Sequence, residues 1–409
     1  MIASFRTRID RALGAQPRQL QNMLAYFAAF GGLGLLGSLV GPTLPTLAEQ
    51  TGSRVGALGL IFFLRSLGFT IGTVTLGRLV DRVKINQLMG ACAFADGLAV
   101  ILIPFLHSNW LLGAVFMFAG LMESVIAVAA NTGIVWMFNE RANPVITGLH
   151  FSFGLGAFIG PVIVAQLINQ DQGVKLSYWI VSAFLLLVGV ILLLRAHSPL
   201  PSESHEEARA ATTRSDYVLV AVTSMMLFFY VGAEISFSGW YFTFLTSLNV
   251  VVEQTAAYMN SAFWLTFTAG RLIAVLLSMR VKSQTILLVA LLGCLVAVGM
   301  LILLPPLPAV LWLVPALTGF FMAPIFPVAF AWASESLRLT GRLTGIIFMG
   351  DSIGAMLLPW LAGMLLDTTG PQMLAPTVFL IVFLNLAAYL IMRRLVAHRQ
   401  KQARPASAS

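Results

Sequence analysis

Charge is what this sequence has least of. Only 10% of its 409 residues are Asp, Glu, Lys or Arg, while 58% are hydrophobic. Water-soluble domains carry about 25% charged and about 45–50% apolar residues. A soluble fold cannot hide that excess of apolar surface, so lipid is the expected solvent for most of the chain. Cysteine is nearly absent too. Cys92 and Cys294 each sit inside an apolar run with no partner nearby, which excludes a disulfide framework and a thiolate metal centre. No Gly-x-x-x-x-Gly-Lys-Ser/Thr loop is present, so ATP is not the expected energy source. His-Glu-x-x-His and Cys/His ligand clusters are missing as well, and no enzyme, cofactor or metal is expected. A cleavable leader is not expected either, because the stretch from Met23 to Leu47 is too long for a leader's apolar core. Ahead of it, Phe5, Ile9 and Leu13 alternate with Arg6, Arg8 and Arg11, a pattern for a short helix on the membrane surface.

What is abundant is long apolar runs. About 20 apolar residues carry a helix across the hydrocarbon core. Twelve runs qualify: 22–47, 55–79, 86–106, 110–138, 144–169, 176–195, 217–246, 254–279, 283–304, 309–334, 343–366 and 372–393. The longest polar connection, 196–216, divides them six and six. The expected fold is an all-α membrane protein of twelve transmembrane helices in two pseudo-symmetric six-helix bundles. Residues 1–21 form an N-terminal segment, 22–195 and 217–393 the bundles, 196–216 a linker and 394–409 a tail. Of the 24 Lys and Arg, Arg65 and Arg271 fall inside runs and only Arg54 and Lys175 lie in loops on the far side. All others share the side of the N-terminus, which places both termini in the cytoplasm. The net charge of +8 is therefore a topology signal and not a nucleic-acid surface.

The two halves also repeat in sequence. The fifth run reads Thr147-Gly148-Leu-His-Phe, then Gly156-Ala157 and Pro161. The eleventh reads Thr344-Gly345-Ile-Ile-Phe, then Gly354-Ala355 and Pro359. The pairs Gly156/Gly160 and Gly350/Gly354 would let helix backbones approach closely. In transporters built from such repeats, solute sites lie near the bilayer midplane at the repeat interface.

The second run ends in Gly77-Arg-Leu-Val-Asp81-Arg82-Val-Lys84. This resembles the cytoplasmic signature of the major facilitator superfamily, Gly-x-x-x-Asp-Arg-x-Gly-Arg-Lys/Arg, with Lys84 and Ile85 in place of the second Gly and its Arg. The resemblance implies that Asp81 helps latch the outward-facing state, with Arg82 beside it. Three further stretches are similar to the sodium-dependent glucose transporter and fucose permease branch: Leu149-His150-Phe-Ser-Phe-Gly154-Leu-Gly156-Ala-Phe-Ile-Gly-Pro161, Tyr230-Val-Gly-Ala-Glu234-Ile-Ser-Phe-Ser-Gly239-Trp240, and Gly319-Phe-Phe-Met-Ala-Pro324-Ile-Phe-Pro327. That branch usually has an acid shortly before the Asn of the fourth run. Here Ala127 sits four before Asn131, and the nearest acid is Glu123.

Ionisable groups at membrane depth mark function or a structural pair. Asp96, Glu123, Glu234 and Asp351 qualify, as do Arg65, Arg271 and, near a helix end, His150. At about 1.5 Å per residue, Arg65 and Asp96 lie about 18 and about 15 Å from the cytoplasmic ends of adjacent runs. They could pair with each other, or Arg65 could reach Glu123 and join a coupling network. Glu234, between Gly232 and Gly239 in a run that by resemblance lines the cavity, is the leading solute ligand. A carboxylate accepts hydrogen bonds from neighbouring hydroxyls and can also take a proton. Trp240, Asn260, Trp264, Asn131 and Gln166 complete the polar and aromatic set expected to contact solute. Trp in such runs is also ordinary packing. Glu123, Arg65, Asp96, His150, Arg271, Asp351, Asp81 and Arg82 are the coupling or gating candidates.

The expected activity is secondary transport of a hexose-like sugar by alternating access, as a symporter coupled to a cation. Protons are favoured over sodium because no acid lies four before Asn131. The expected partners are a small-molecule solute, a coupling cation and the lipid bilayer, with a monomer in a cytoplasmic (inner) membrane. The alternative is proton-driven export of an amphipathic, drug-like compound, for which 17 Met would supply a plastic pocket.

Overall fold

Without water to bond them, backbone N–H and C=O groups in hydrocarbon must pair within their own segment, and a helix does this. The computed structural model describes residues 17–76, 79–80, 82–195, 197–199, 214–337 and 341–403, and every regular element among them is helical. Twelve segments are long and apolar enough to cross a membrane, and each coincides with one of the twelve apolar runs. The helices are α1 (Pro17–Thr51), α2 (Gly59–Thr75), α3 (Ile85–Leu102), α4 (Asn109–Phe138), α5 (Ala142–Leu167), α6 (Gly173–Leu193), α7 (Arg214–Ser247), α8 (Glu253–Ser278), α9 (Ser283–Leu303), α10 (Pro308–Met322), α11 (Ile325–Ser336), α12 (Gly341–Thr369) and α13 (Leu374–Ala403). The surface helix expected around Phe5 to Leu13, the motif residues Gly77, Arg78 and Asp81, and most of the 196–216 linker lie outside the described residues.

One boundary differs from the sequence expectation. The tenth span is broken into α10 and α11 around Ala323–Pro324. Pro324 and Pro327 remove two donors within one turn, so the ladder cannot run through.

The chain divides into two compact units. One comprises Met1–His205 and Glu253–Ser261, the other Glu206–Val252 and Ala262–Ser409. The start of α8 thus joins the first unit instead of the second bundle. Its side chains explain this: Ser261 Oγ donates to the Phe158 carbonyl at 3.0 Å, and the Gln166 amide donates to the Tyr258 hydroxyl.

Within each unit, glycines set the helix spacing. In the first, α1 packs extensively on α5 and α2 on α4. A methyl group on Gly156 would overlap the Gly31 carbonyl oxygen, and one on Gly120 the Arg65 carbonyl oxygen. In the second, α7 packs on α12. A methyl on Gly354 would overlap the Phe228 carbonyl oxygen, and one on Gly319 that of Phe263. The small-residue pairs read from the repeat are therefore sites where backbones touch. The outward surface is apolar: Leu303, Leu194 and Met279 are among its most exposed side chains. That pattern suits lipid and not water.

Candidate functional site

The first unit holds a buried charge cluster. Gly120 brings α4 against α2 at Arg65, and one turn further along α4 stands Glu123. Arg65 grips it with two bonds, Nη2 to Oε1 at 2.7 Å and Nε to Oε2 at 3.0 Å. Two parallel charge-assisted bonds make this the strong form of the pair. Gly37 on α1 leaves room for the guanidinium, since a Cβ there would lie 3.2 Å from Nη2. Of the two partners open to Arg65, the bonded one is Glu123. The expected Arg65–Asp96 pair does not form as a hydrogen-bonded bridge. Asp96 on α3 is fully buried, is an electrostatic neighbour of both Arg65 and Glu123, and has no hydrogen-bond partner on either oxygen. The buried Tyr178 of α6, near Arg65, meets the Thr43 hydroxyl at 2.8 Å. One cation and two acids therefore share a nearly dry space.

The second unit holds a more open cluster around Glu234 on α7, which is half-buried. Its electrostatic neighbours are Arg271 of α8, Tyr230 one turn earlier on α7, and Asp351 of α12. Arg271 lies over the Phe267 ring at 4.5 Å, and Phe267 meets Trp264 edge-on at 5.5 Å. Trp264, Phe267 and Arg271 recur at helical spacing and form one face of α8. A carboxylate and a guanidinium thus stand together beside aromatic rings, of which Phe267 and Trp264 are themselves buried. Tyr230 has no role assigned by the sequence pattern alone. Its spacing four before Glu234 is the signal that puts both on one face.

The remaining candidates are more scattered. Trp240 is fully enclosed, and its indole N–H donates to the Pro359 carbonyl at 2.8 Å, fastening α7 to α12. This is the packing role open to any such Trp. Asn260 is fully buried, with neither amide atom hydrogen-bonded. Asn131 is half-buried and donates to the Ala127 carbonyl of its own helix at 2.9 Å. Gln166 is exposed at the end of α5 and held by Tyr258. His150 is exposed and meets the edge of Phe30 at 5.5 Å. Arg82 is exposed in the α2–α3 connection, whereas Asp81 lies outside the described residues. Gly350-Asp-Ser-Ile-Gly354 has the Gly-x-Ser-x-Gly spacing of a hydrolase elbow. It lies mid-helix in α12, without the strand-to-helix turn such an elbow needs.

Comparison with known proteins agrees with this architecture. The chain is 31% identical over 376 residues to sodium-dependent glucose transporter 1A of Mus musculus, spanning 83% of this chain and 88% of that one. It is 29% identical over 378 residues to sodium-dependent glucose transporter 1 of Homo sapiens, spanning 83% and 72%. Its fold matches a mutant of the nucleoside transporter NupG with a TM-score of 0.75 at 13% identity, covering 92% of this chain and 99% of that one. A bacterial homologue of the human lysosomal transporter Spinster matches with 0.72 at 13% identity, covering 94% and 98%. The family model of the Major Facilitator Superfamily matches residues 23–350. With twelve membrane-length helices in a repeated arrangement, the chain is an integral membrane transporter and belongs to the Major Facilitator Superfamily.

Proposed function

We propose that this transporter moves a hexose-like sugar by alternating access, coupled to a cation, with protons favoured over sodium. The observation that carries the substrate class is the likeness, over more than four fifths of the chain, to proteins named as glucose transporters. The Glu234 cluster supports it, because sugar hydroxyls need both acceptors and donors while sugar faces lie on aromatic rings. In this reading Glu234 accepts from solute hydroxyls, Arg271 donates to solute oxygens, and Trp264, buried in this state, offers a face only when the site opens. Asn260, whose amide is unbonded, and Asn131 are proposed separately as polar solute contacts of the first unit. Trp240 acts through packing, and Gln166 through its bond to Tyr258.

Coupling is assigned to Arg65, Glu123 and Asp96. Arg65 is committed to Glu123, which leaves Asp96 as the acid free to accept a proton when the cluster rearranges. Sodium remains the second reading, favoured by the names of the relatives. Asp351, His150, Asp81 and Arg82 are assigned to gating. The distribution of Lys and Arg supports both termini on the cytoplasmic side, and a cytoplasmic (inner) membrane is the proposed location. The test is uptake into proteoliposomes under an imposed proton gradient or an imposed sodium gradient. Acceleration by the proton gradient, lost in Asp96→Asn, supports the assignment. Acceleration by sodium alone replaces it, and drug movement without sugar movement would restore the export reading.

A further inference from the structure

A second polar network lies in the first unit, apart from its charge cluster, and joins α1, α3 and the chain after α6. Tyr26 donates to Asn86 Oδ1 at 2.6 Å. The Asn86 amide donates to the His197 carbonyl at 2.9 Å and to Asn22 Oδ1 at 3.3 Å. Asn22 itself donates to the His197 carbonyl at 3.1 Å and accepts from Arg195 Nη1 at 3.5 Å. Tyr26, Asn22 and Asn86 are all buried. Buried amides joined in this way fix their neighbours strongly, because breaking one bond strands another polar group. The network therefore fastens the chain after α6 against the start of α1 and holds Arg195 and His197 in place.

Those two residues line an open recess of about 460 Å³, together with Asn22 and with Arg18 from the first turn of α1. Among the described residues lining it, none is acidic. The Nε of Arg195 is buried and has no hydrogen-bond partner, so one guanidinium donor is already stripped of water without an acceptor. The rest of the lining includes Ile191 and Leu194, both exposed on the outer face of the bundle, Leu194 at 80%. Positive donors thus sit beside an apolar strip at the end of a membrane-length helix, Gly173–Leu193.

We propose that this recess binds the phosphate headgroup of an anionic phospholipid, with an acyl chain lying along Ile191 and Leu194. Arginine forks match phosphate oxygens in pairs. Basic pockets at the cytoplasmic ends of membrane helices are suited to such headgroups, and the volume is of the size of ordinary ligand sites. The site is independent of the sugar reading, since none of its residues belongs to either charge cluster.

The experiment is retention of phosphatidylglycerol against phosphatidylcholine by the purified full chain, read by native mass spectrometry. The variants are Arg18→Gln, Arg195→Gln and the pair. Arg18 is exposed, so its single variant is safe for folding. Phosphatidylglycerol should be preferred, with the preference falling about fivefold per arginine removed. Arg280→Gln, a basic residue that does not line the recess, should leave it unchanged. Glycerol phosphate and inorganic phosphate separate the lipid from a soluble anion. Failure of either to displace the lipid supports the proposal, and full displacement by millimolar phosphate overturns it in favour of a soluble ligand. Equal retention of both lipids, or a preference that Arg18→Gln and Arg280→Gln reduce equally, also overturns it. So does anion binding that emerges only when Glu203, Glu206 and Glu207 are changed to Gln, which would assign the recess to the chain's own linker.

Discussion

Replacing Glu123 by Gln removes the carboxylate that Arg65 holds with bonds of 2.7 and 3.0 Å. Glu123 is 3% exposed, so little water can take its place. Stripping one partner from a buried ion pair costs about 3–5 kcal/mol. Three features soften the loss. The Arg65 side chain keeps 22% exposure, Asp96 is already an electrostatic neighbour, and the Gln amide still offers one acceptor oxygen. The expected cost is therefore about 2–3 kcal/mol, below the usual range for a buried pair. For a bundle of this size that lowers a thermal midpoint by roughly 5–10 °C. Asp96→Asn should act in the opposite sense. Neither Asp96 oxygen is hydrogen-bonded, so the amide gives up no bond and the midpoint stays unchanged or rises. In the Glu123→Gln background, however, Asp96→Asn should cost a further ~1 kcal/mol or more, because Arg65 then has no acid left. Thermal unfolding of the detergent-purified protein, with all four combinations run side by side, reads these effects. An Asp96→Asn midpoint that falls as far as that of Glu123→Gln would refute the division of roles between the two acids.

Three more outcomes follow from the packing and the second cluster. Gly156→Ala and Gly354→Ala each force a methyl into a neighbouring backbone carbonyl and should each cost about 1–3 kcal/mol in the same assay. Gly345→Ala, which meets open space, should not, and equal effects at all three would contradict the close-approach account. Trp240→Phe should lose about 1 kcal/mol with the bond to the Pro359 carbonyl while keeping solute affinity; a stable variant with lost affinity would return Trp240 to the solute site. Glu234→Gln should weaken sugar binding about tenfold or more, the scale of a charged hydrogen bond, without lowering the thermal midpoint. Unchanged affinity in equilibrium binding would remove Glu234 from the site.

The twelve spans were legible because lipid imposes one rule everywhere: about twenty apolar residues in a helix. The repeat was legible through Gly156 and Gly354, since a backbone contact admits only a small residue on one side. The break at Pro324 was less so. Proline alone does not mark a break, because other helices carry internal proline without ending, including Pro161 and Pro359. Charge partners were half legible. Depth along two helices brought Arg65 level with Asp96, but depth says nothing about rotation, and the bonded acid stands on α4. Rotation likewise turns Trp240 into the α7–α12 contact. The Asn22–Asn86 network was not legible at all. Both residues lie at the edges of apolar runs, where a polar residue looks like a boundary marker, and only folding joins them.

The central claim, that a sugar crosses through this protein by alternating access, is tested most directly by counterflow of labelled glucose, galactose and fucose in proteoliposomes. Counterflow needs binding and alternation but no ion gradient, so it separates substrate from coupling. The account predicts transient accumulation of at least one hexose, abolished in Glu234→Gln and retained in Trp240→Phe. Folded protein that exchanges none of the three sugars would contradict it.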